Sequence, residues 1–230
     1  MSKTAVLYDI HGNLRALEAV LAHAQAAGAR SFVLGGDYAL FGPEPAETLA
    51  VLHRLRDAVW IRGNVDRWCA HPDQAGEDEL LQRAIADCRS ALGQELSAVL
   101  GALPEHHVQE GTRFCHASPA SDMRSFRPDP AEEDEELLAG VAEPRVVFGH
   151  THLQFERARP HGVELVNPGS VGMPLDGDRR AAYALMHDDG TLAPARVPYD
   201  HEAAAAAVLE RFGPLPWAQR SERRLRCAAP

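Results

Sequence analysis

Residues 4–13 read TAVLYDIHGN: an apolar run from Thr4 to Tyr8 that stops at a carboxylate and an imidazole one residue apart, Asp9 and His11. A short apolar stretch closed by polar loop residues is the pattern of a buried strand running into its C-terminal loop. The same event recurs along the chain. Ser31-Phe-Val-Leu34 runs into Gly35-Gly36-Asp37, and Ala58-Val-Trp-Ile61 into Arg62-Gly63-Asn64-Val65-Asp66. A segment from Val108 to Cys115, a strand or hairpin, ends at His116, and Arg145-Val-Val-Phe148 ends at Gly149-His150-Thr151-His152.

Helical periodicity separates the first strands. Leu14, Leu17, Leu21 and Ala24 follow Asn13, a capping residue, and stop at Gly28. A second helix opens at Pro45 and carries Leu49, Leu52 and Leu55, and a third over residues 77–101 carries the stripe Leu81, Ile85, Cys88, Leu92, Leu96 and Val99. Further strands are predicted over 162–166, 181–186 and 192–199, the last two joined as a hairpin across Asp188-Asp189-Gly190. Strand-helix alternation followed by strands predicts a layered α/β (α+β) fold with mixed sheet. The acidic, proline-broken segment 127–136 reads as the solvated entry to a short helix. From Gly213 the chain is rich in Pro and Arg and reads as a loosely attached tail, which divides it into a domain over 1–212 and a tail over 213–230.

Composition narrows the function classes. The chain has 230 residues and a formal charge of −10, which opposes a general nucleic-acid-binding role, since that needs a basic face against the phosphates. Asp9 and His11 interrupt the first apolar run, so neither a signal peptide nor a membrane span is expected, and the expected compartment is the cytoplasm. The four cysteines are scattered without a C-x-x-C pair and read as reduced packing residues. Twelve histidines are many for this length, and several close apolar runs.

Seven side chains thus share one predicted address, the C-terminal end of a strand: Asp9, His11, Asp37, Asn64, His116, His150 and His152. Taken singly, each cluster is ordinary turn chemistry. Their ordered recurrence at the sheet edge where α/β folds bind ligands points instead to a shared site. Mixed nitrogen and oxygen donors suit transition ions, and two ions sharing one bridging carboxylate would use seven ligands economically.

The ordered string DIHGN, GGD, RGNVD, CHASP, GHTH and VNPGSVG resembles the calcineurin-like metallophosphoesterases, and within them the small bacterial phosphodiesterases and diadenosine-tetraphosphatase-related proteins. The resemblance covers about residues 4 to 187. It implies a four-layer α-β-β-α sandwich of two mixed sheets. By similarity, Asp9, His11 and His152 hold one ion, Asn64, His116 and His150 the other, and Asp37 bridges them. The two histidines of GHTH, alternating along an extended chain, would each serve a different ion. The cofactor implied is a pair of divalent or trivalent ions, Mn first, with Fe, Zn, Co or Ni as alternatives. The chemistry implied is in-line attack on phosphorus by a hydroxide held between them, with Asp37, Asn64 and His116 central to catalysis.

One position departs from the family pattern. Many members carry a histidine where this chain has Val65, and valine can neither protonate a leaving group nor stabilise charge. Phosphodiesters and dinucleotide-type anhydrides therefore fit better than alkyl monoesters, with a broad phosphomonoesterase or nucleotidase as the alternative and a non-catalytic scaffold as a more distant one. Asn13, Arg15, Arg62 and Arg124 are candidate phosphate contacts, and Tyr38 and Phe41 are candidates to stack on a base. The expected partner is a small phosphate ester or nucleotide; self-association into a homo-oligomer is compatible with the sequence.

Overall fold

The computed structural model describes residues 3–157 and 162–230. Two five-stranded mixed sheets lie face to face. The first has the order β10-β9-β1-β2-β3, from β1 (Lys3–Leu7), β2 (Ala29–Leu34), β3 (Ala58–Trp60), β9 (Ala181–Met186) and β10 (Leu192–Val197). The second has the order β4-β5-β6-β8-β7, from β4 (His106–Gln109), β5 (Thr112–Cys115), β6 (Arg145–Val147), β7 (Gln154–Arg157) and β8 (Glu164–Pro168). β1, β2 and β3 are parallel, as are β5, β6 and β8, so the loops after these strands open on one edge.

Side-chain alternation builds the layers. Val6, Val33, Phe114, Val147 and Val166 point between the sheets. Their neighbours Ala5, Leu7, Phe32 and Leu34 point outward into the main helical layer, and Cys115, Val146, Phe148 and Leu165 point to the opposite outer face. Helices α1 (Leu14–Ala26), α2 (Pro45–Leu52), α3 (Asn64–Ala70) and α4 (Glu79–Gly101) cover the first sheet, together with α6 (His201–Phe212) and α7 (Pro216–Cys227). The fourth layer is thin, made of α5 (Asp134–Leu137) and the irregular chain around Phe126. This is the expected α-β-β-α sandwich. Emptying the inter-sheet layer by a change such as Phe114→Ala would cost about 3–5 kcal/mol.

Two expectations are corrected, and one strand has no counterpart in the sequence pattern. The predicted third helix is interrupted at Gly93, whose φ of 79° and ψ of 165° are non-helical. β7 was not expected, because Gln-Phe-Glu-Arg carries no apolar run and the strand forms by pairing to β8 at a sheet edge. The supposed loose tail is a docked helix: α7 opens at Pro216 and buries Trp217, Ala218, Ser221 and Leu225, with the Trp217 indole donating to Asp87 Oδ2 at 2.9 Å. Prolines and arginines masked a stripe at helical spacing that tertiary packing makes decisive. Among the described residues, no helix is long and apolar enough to cross a membrane.

Candidate metal centre

The loops after β1, β2, β5 and β6, and the first residue of α3, bring all seven predicted side chains to one edge. Asp9, His11 and His152 present ligand atoms within 4.8 Å of one another; Asp37, His116 and His150 form a second such group. Asp37 faces both, with Oδ2 at 3.9 Å from His11 Nε2 and Oδ1 at 3.3 Å from His116 Nε2. The Asn64 carboxamide lies 2.9 Å from both His116 Nε2 and His150 Nδ1.

Backbone geometry aims these groups. Asp9, His11, Asp37, His150 and His152 all take positive φ, between 50° and 66°. Left-handed backbone costs a non-glycine residue about 1–2 kcal/mol, and such strain collects at functional sites. It also corrects one expectation: His150 and His152 diverge through two left-handed residues, not by alternation along an extended chain. Close approach explains two glycines. A Cβ on Gly63 would sit 2.1 Å from Asp37 Oδ1, and one on Gly149 would sit 2.6 Å from Asp9 Oδ2.

Hydrogen bonds fix the imidazole tautomers. His11 Nδ1 lies 2.9 Å from the Leu40 carbonyl and His152 Nδ1 lies 2.6 Å from that of Met173, so in each neutral ring Nδ1 is the donor and Nε2 a bare lone pair. Those two Nε2 atoms face each other at 3.0 Å. Burial above all pushes the pKa of both rings down, so neither is protonated near neutral pH. Asp9 Oδ1, 3.6 Å from His152 Nε2, is buried without a hydrogen-bond partner. Lone pairs that converge in a buried site call for a cation.

The second group meets the same demand with a proton. Burial pushes the pKa of His116 down, but the Asp37 charge and hydrogen bond, with the Asp9 charge and the Gly35 carbonyl, together outweigh it and lift the ring to about 10. His116 Nδ1 donates to the Gly35 carbonyl at 2.9 Å, which leaves Nε2 to face Asp37 and Asn64. For Asp37, burial acts upward, but the His116 charge and hydrogen bond hold the carboxyl well below the usual range. Burial raises Asp9 to about 8. With its oxygen inward, the Asn64 amide accepts from the protonated His116 Nε2 in the metal-free chain, and once the rings are neutral it joins their lone pairs as a third donor to a cation.

Asp66 holds the Asp37 loop. Its carboxylate accepts from the backbone N–H groups of Asp37 at 2.8 Å, Tyr38 at 3.1 Å and Gly63 at 2.8 Å. The VNPGSVG loop supports the centre too: Asn167 Nδ2 donates to the Gly149 carbonyl at 3.0 Å and Ser170 Oγ to that of Asp9 at 2.7 Å.

The candidate substrate contacts fare differently. Tyr38 is fully buried, with its hydroxyl 2.7 Å from the carbonyls of Leu34 and Ile61, so its ring cannot stack on a ligand. Its neighbour Asp37 points into the site while Tyr38 points into the core. Asn13 is also buried; it caps α1 through Ala16 N at 3.1 Å and donates to the Gly172 carbonyl at 2.8 Å. Arg15 pairs with Glu44 away from the cavity, Arg62 with Glu105, and Arg124 with Glu136. Phe41 does line the cavity beside the metal centre, a space of about 390 Å³ that also meets Val65, Trp68, Leu81 and Trp217. Sequence reasoning missed this wall, whose one local signal is the spacing of Trp217, Arg220, Ser221 and Arg224 along α7.

A two-sheet sandwich with paired His/Asp clusters at one edge defines a metallophosphoesterase. Residues 3–190 match the calcineurin-like phosphoesterase superfamily domain, and the chain belongs to that family. Protein MJ0912 of Methanocaldococcus jannaschii is 26% identical over 229 residues, covering 91% of this chain and 93% of that one. A metallophosphoesterase from Sphaerobacter thermophilus superposes with a TM-score of 0.83 at 25% identity, covering 99% of both chains. The hypothetical protein PH1004 from Pyrococcus horikoshii OT3 shares the fold with a TM-score of 0.84 at 21% identity and 98% coverage of both.

Proposed function

We propose that this protein is a dinuclear metal-dependent hydrolase of phosphodiesters or dinucleotide-type phosphoanhydrides. The observation that carries the reading is the 3.0 Å approach of the His11 and His152 Nε2 lone pairs, with Asp37 turned toward both clusters. Asp9, His11 and His152 would hold one ion, Asn64, His116 and His150 the other, and Asp37 both. The nitrogen and oxygen donors suit Mn first, then Fe, Zn, Co or Ni. When bound, such a pair lowers the pKa of water and neutralises charge on a phosphoryl oxygen.

The chain's own residues account for the rest of the selectivity. Asp66 fixes the loop of the bridging carboxylate, and the carbonyls of Leu40, Met173 and Gly35 hold three imidazoles in the ligating tautomer. Val65 lines the cavity and donates no proton, so the site suits a weakly basic leaving oxygen. A cavity of about 390 Å³ with aromatic walls has room for the second organic group of a diester.

The test is hydrolysis of bis(4-nitrophenyl) phosphate by chelator-stripped protein with and without Mn²⁺, beside the matching monoester. Metal-dependent turnover that favours the diester is expected. Turnover confined to the monoester would move the assignment to a phosphomonoesterase, and none of either ester with any of the five metals would overturn it.

A further inference from the structure

Helix α7 carries two arginines into the wall of the cavity, one turn apart. Arg220 is exposed at the rim and Arg224 half-buried below it, on the helix face shared with Trp217 and Ser221. Like charges at i and i+4 repel. Among the described residues no carboxylate relieves Arg224: its Nε is buried without a partner, and burial and the Arg220 charge both push its pKa down. Its charge also reaches the metal centre, where it adds to burial in lowering the pKa of His11. By contrast, Arg226 on the same helix pairs with Glu222 and Glu202. Asp78, which also lines the cavity, caps α4 by accepting from the Leu81 N–H at 2.8 Å. Two unpaired guanidiniums thus share one cavity with the metal ligands, across a wall formed by Trp68 and Trp217.

We propose that Arg220 and Arg224 receive a second, non-reacting phosphate of the substrate. The substrate class is then an organic molecule bearing two phosphates, one placed at the histidine clusters and one held by α7, with its apolar or aromatic moiety against the tryptophan wall. Guanidinium matches phosphate through paired charge-assisted hydrogen bonds, and a half-buried position strengthens them. The subsite rests on the phosphoesterase reading above and sharpens it.

Trp68 and Trp217 supply a readout independent of turnover. Tryptophan fluorescence of manganese-loaded protein is titrated with thymidine 3′,5′-bisphosphate and with thymidine 5′-monophosphate. The wild type is expected to bind the bisphosphate about tenfold or more tightly than the monophosphate. Arg220→Gln/Arg224→Gln protein is expected to lose that preference. Arg220→Glu alone, at an exposed position that the fold does not need, is expected to weaken the bisphosphate selectively. An unchanged ratio in both variants, no preference in the wild type, or no binding of either ligand overturns the subsite. Hydrolysis of bis(4-nitrophenyl) phosphate and of the matching monoester is followed in parallel with each of the five metals: preference without turnover of either retains the subsite and sinks the hydrolase, and turnover without preference does the reverse.

Discussion

The imidazoles of His11 and His152 meet Nε2 to Nε2 at 3.0 Å, with the opposite nitrogen of each ring committed to a backbone carbonyl. Nothing in hydrophobic burial or hydrogen bonding favours two facing lone pairs, so the contact locates a cation. Near it the chain without metal holds protons instead: on His116, lifted to about 10 chiefly by Asp37 against the effect of burial, and on Asp9, raised to about 8 by burial. Metal loading at pH 7 is therefore expected to release protons. Calorimetric titration in two buffers of different ionisation enthalpy checks this; a heat that does not depend on the buffer contradicts it.

The same shifts set the stability of metal-stripped protein. Both folded values lie above the ordinary ones of 6.5 for His116 and 3.8 for Asp9, so the folded chain holds more protons than the unfolded chain. Their contribution is present at low pH and lost as pH rises through the folded values, at up to about 1.4 kcal/mol per pH unit for each extra proton. His11, His150 and His152, all shifted down, act in the opposite sense, but chiefly below pH 7, where the unfolded rings take up protons. The melting temperature of stripped protein should fall between pH 7 and 9, and more steeply than that of loaded protein. A rise over that interval would refute the assignment.

Asp66 positions Asp37 without facing the cavity. Asp66→Asn removes one acceptor oxygen from a carboxylate that serves three N–H groups, and should lower metal affinity and activity about 10–100-fold. The discriminating readout is metal affinity: unchanged binding with lower melting temperature would make Asp66 a fold residue alone.

Tyr38 is the converse case. Tyr38→Phe deletes a fully buried hydroxyl that bonds to Leu34 and Ile61, and should cost about 1–3 kcal/mol of stability with KM unchanged. A raised KM at unaltered stability would restore its role as a base-stacking residue.

Gly63→Ala should disorganise the centre, because the new Cβ would stand 2.1 Å from Asp37 Oδ1. A loss of about 1–3 kcal/mol and weakened metal binding are expected. Wild-type melting and metal content in this variant would show that the close approach is not needed.

The seven clustered side chains were legible in the sequence because each sits within a few residues of an apolar run, so local pattern and strand-end position coincide. The sandwich followed from the same runs, whose alternation feeds both faces of each sheet. Beyond local pattern the reading weakened. Tyr38 adjoins Asp37 in sequence yet turns to the opposite side, which only the left-handed backbone at Asp37 reveals. α7 looked like a tail because its arginines and prolines are polar in sum, whereas its role depends on the face that Trp217, Arg220, Ser221 and Arg224 present to a cavity built by distant elements. β7 depends on pairing to β8 and leaves no run of its own.

Two ions that share Asp37 would be coupled through its carboxylate. Chelator-stripped protein loaded with Mn²⁺ and examined by electron paramagnetic resonance tests this sharing most directly, with metal content measured on the same sample. Two Mn²⁺ per chain and an exchange-coupled spectrum that is lost in Asp37→Ala protein are expected. One ion per chain, or two ions with uncoupled single-ion spectra in the wild type, would contradict it.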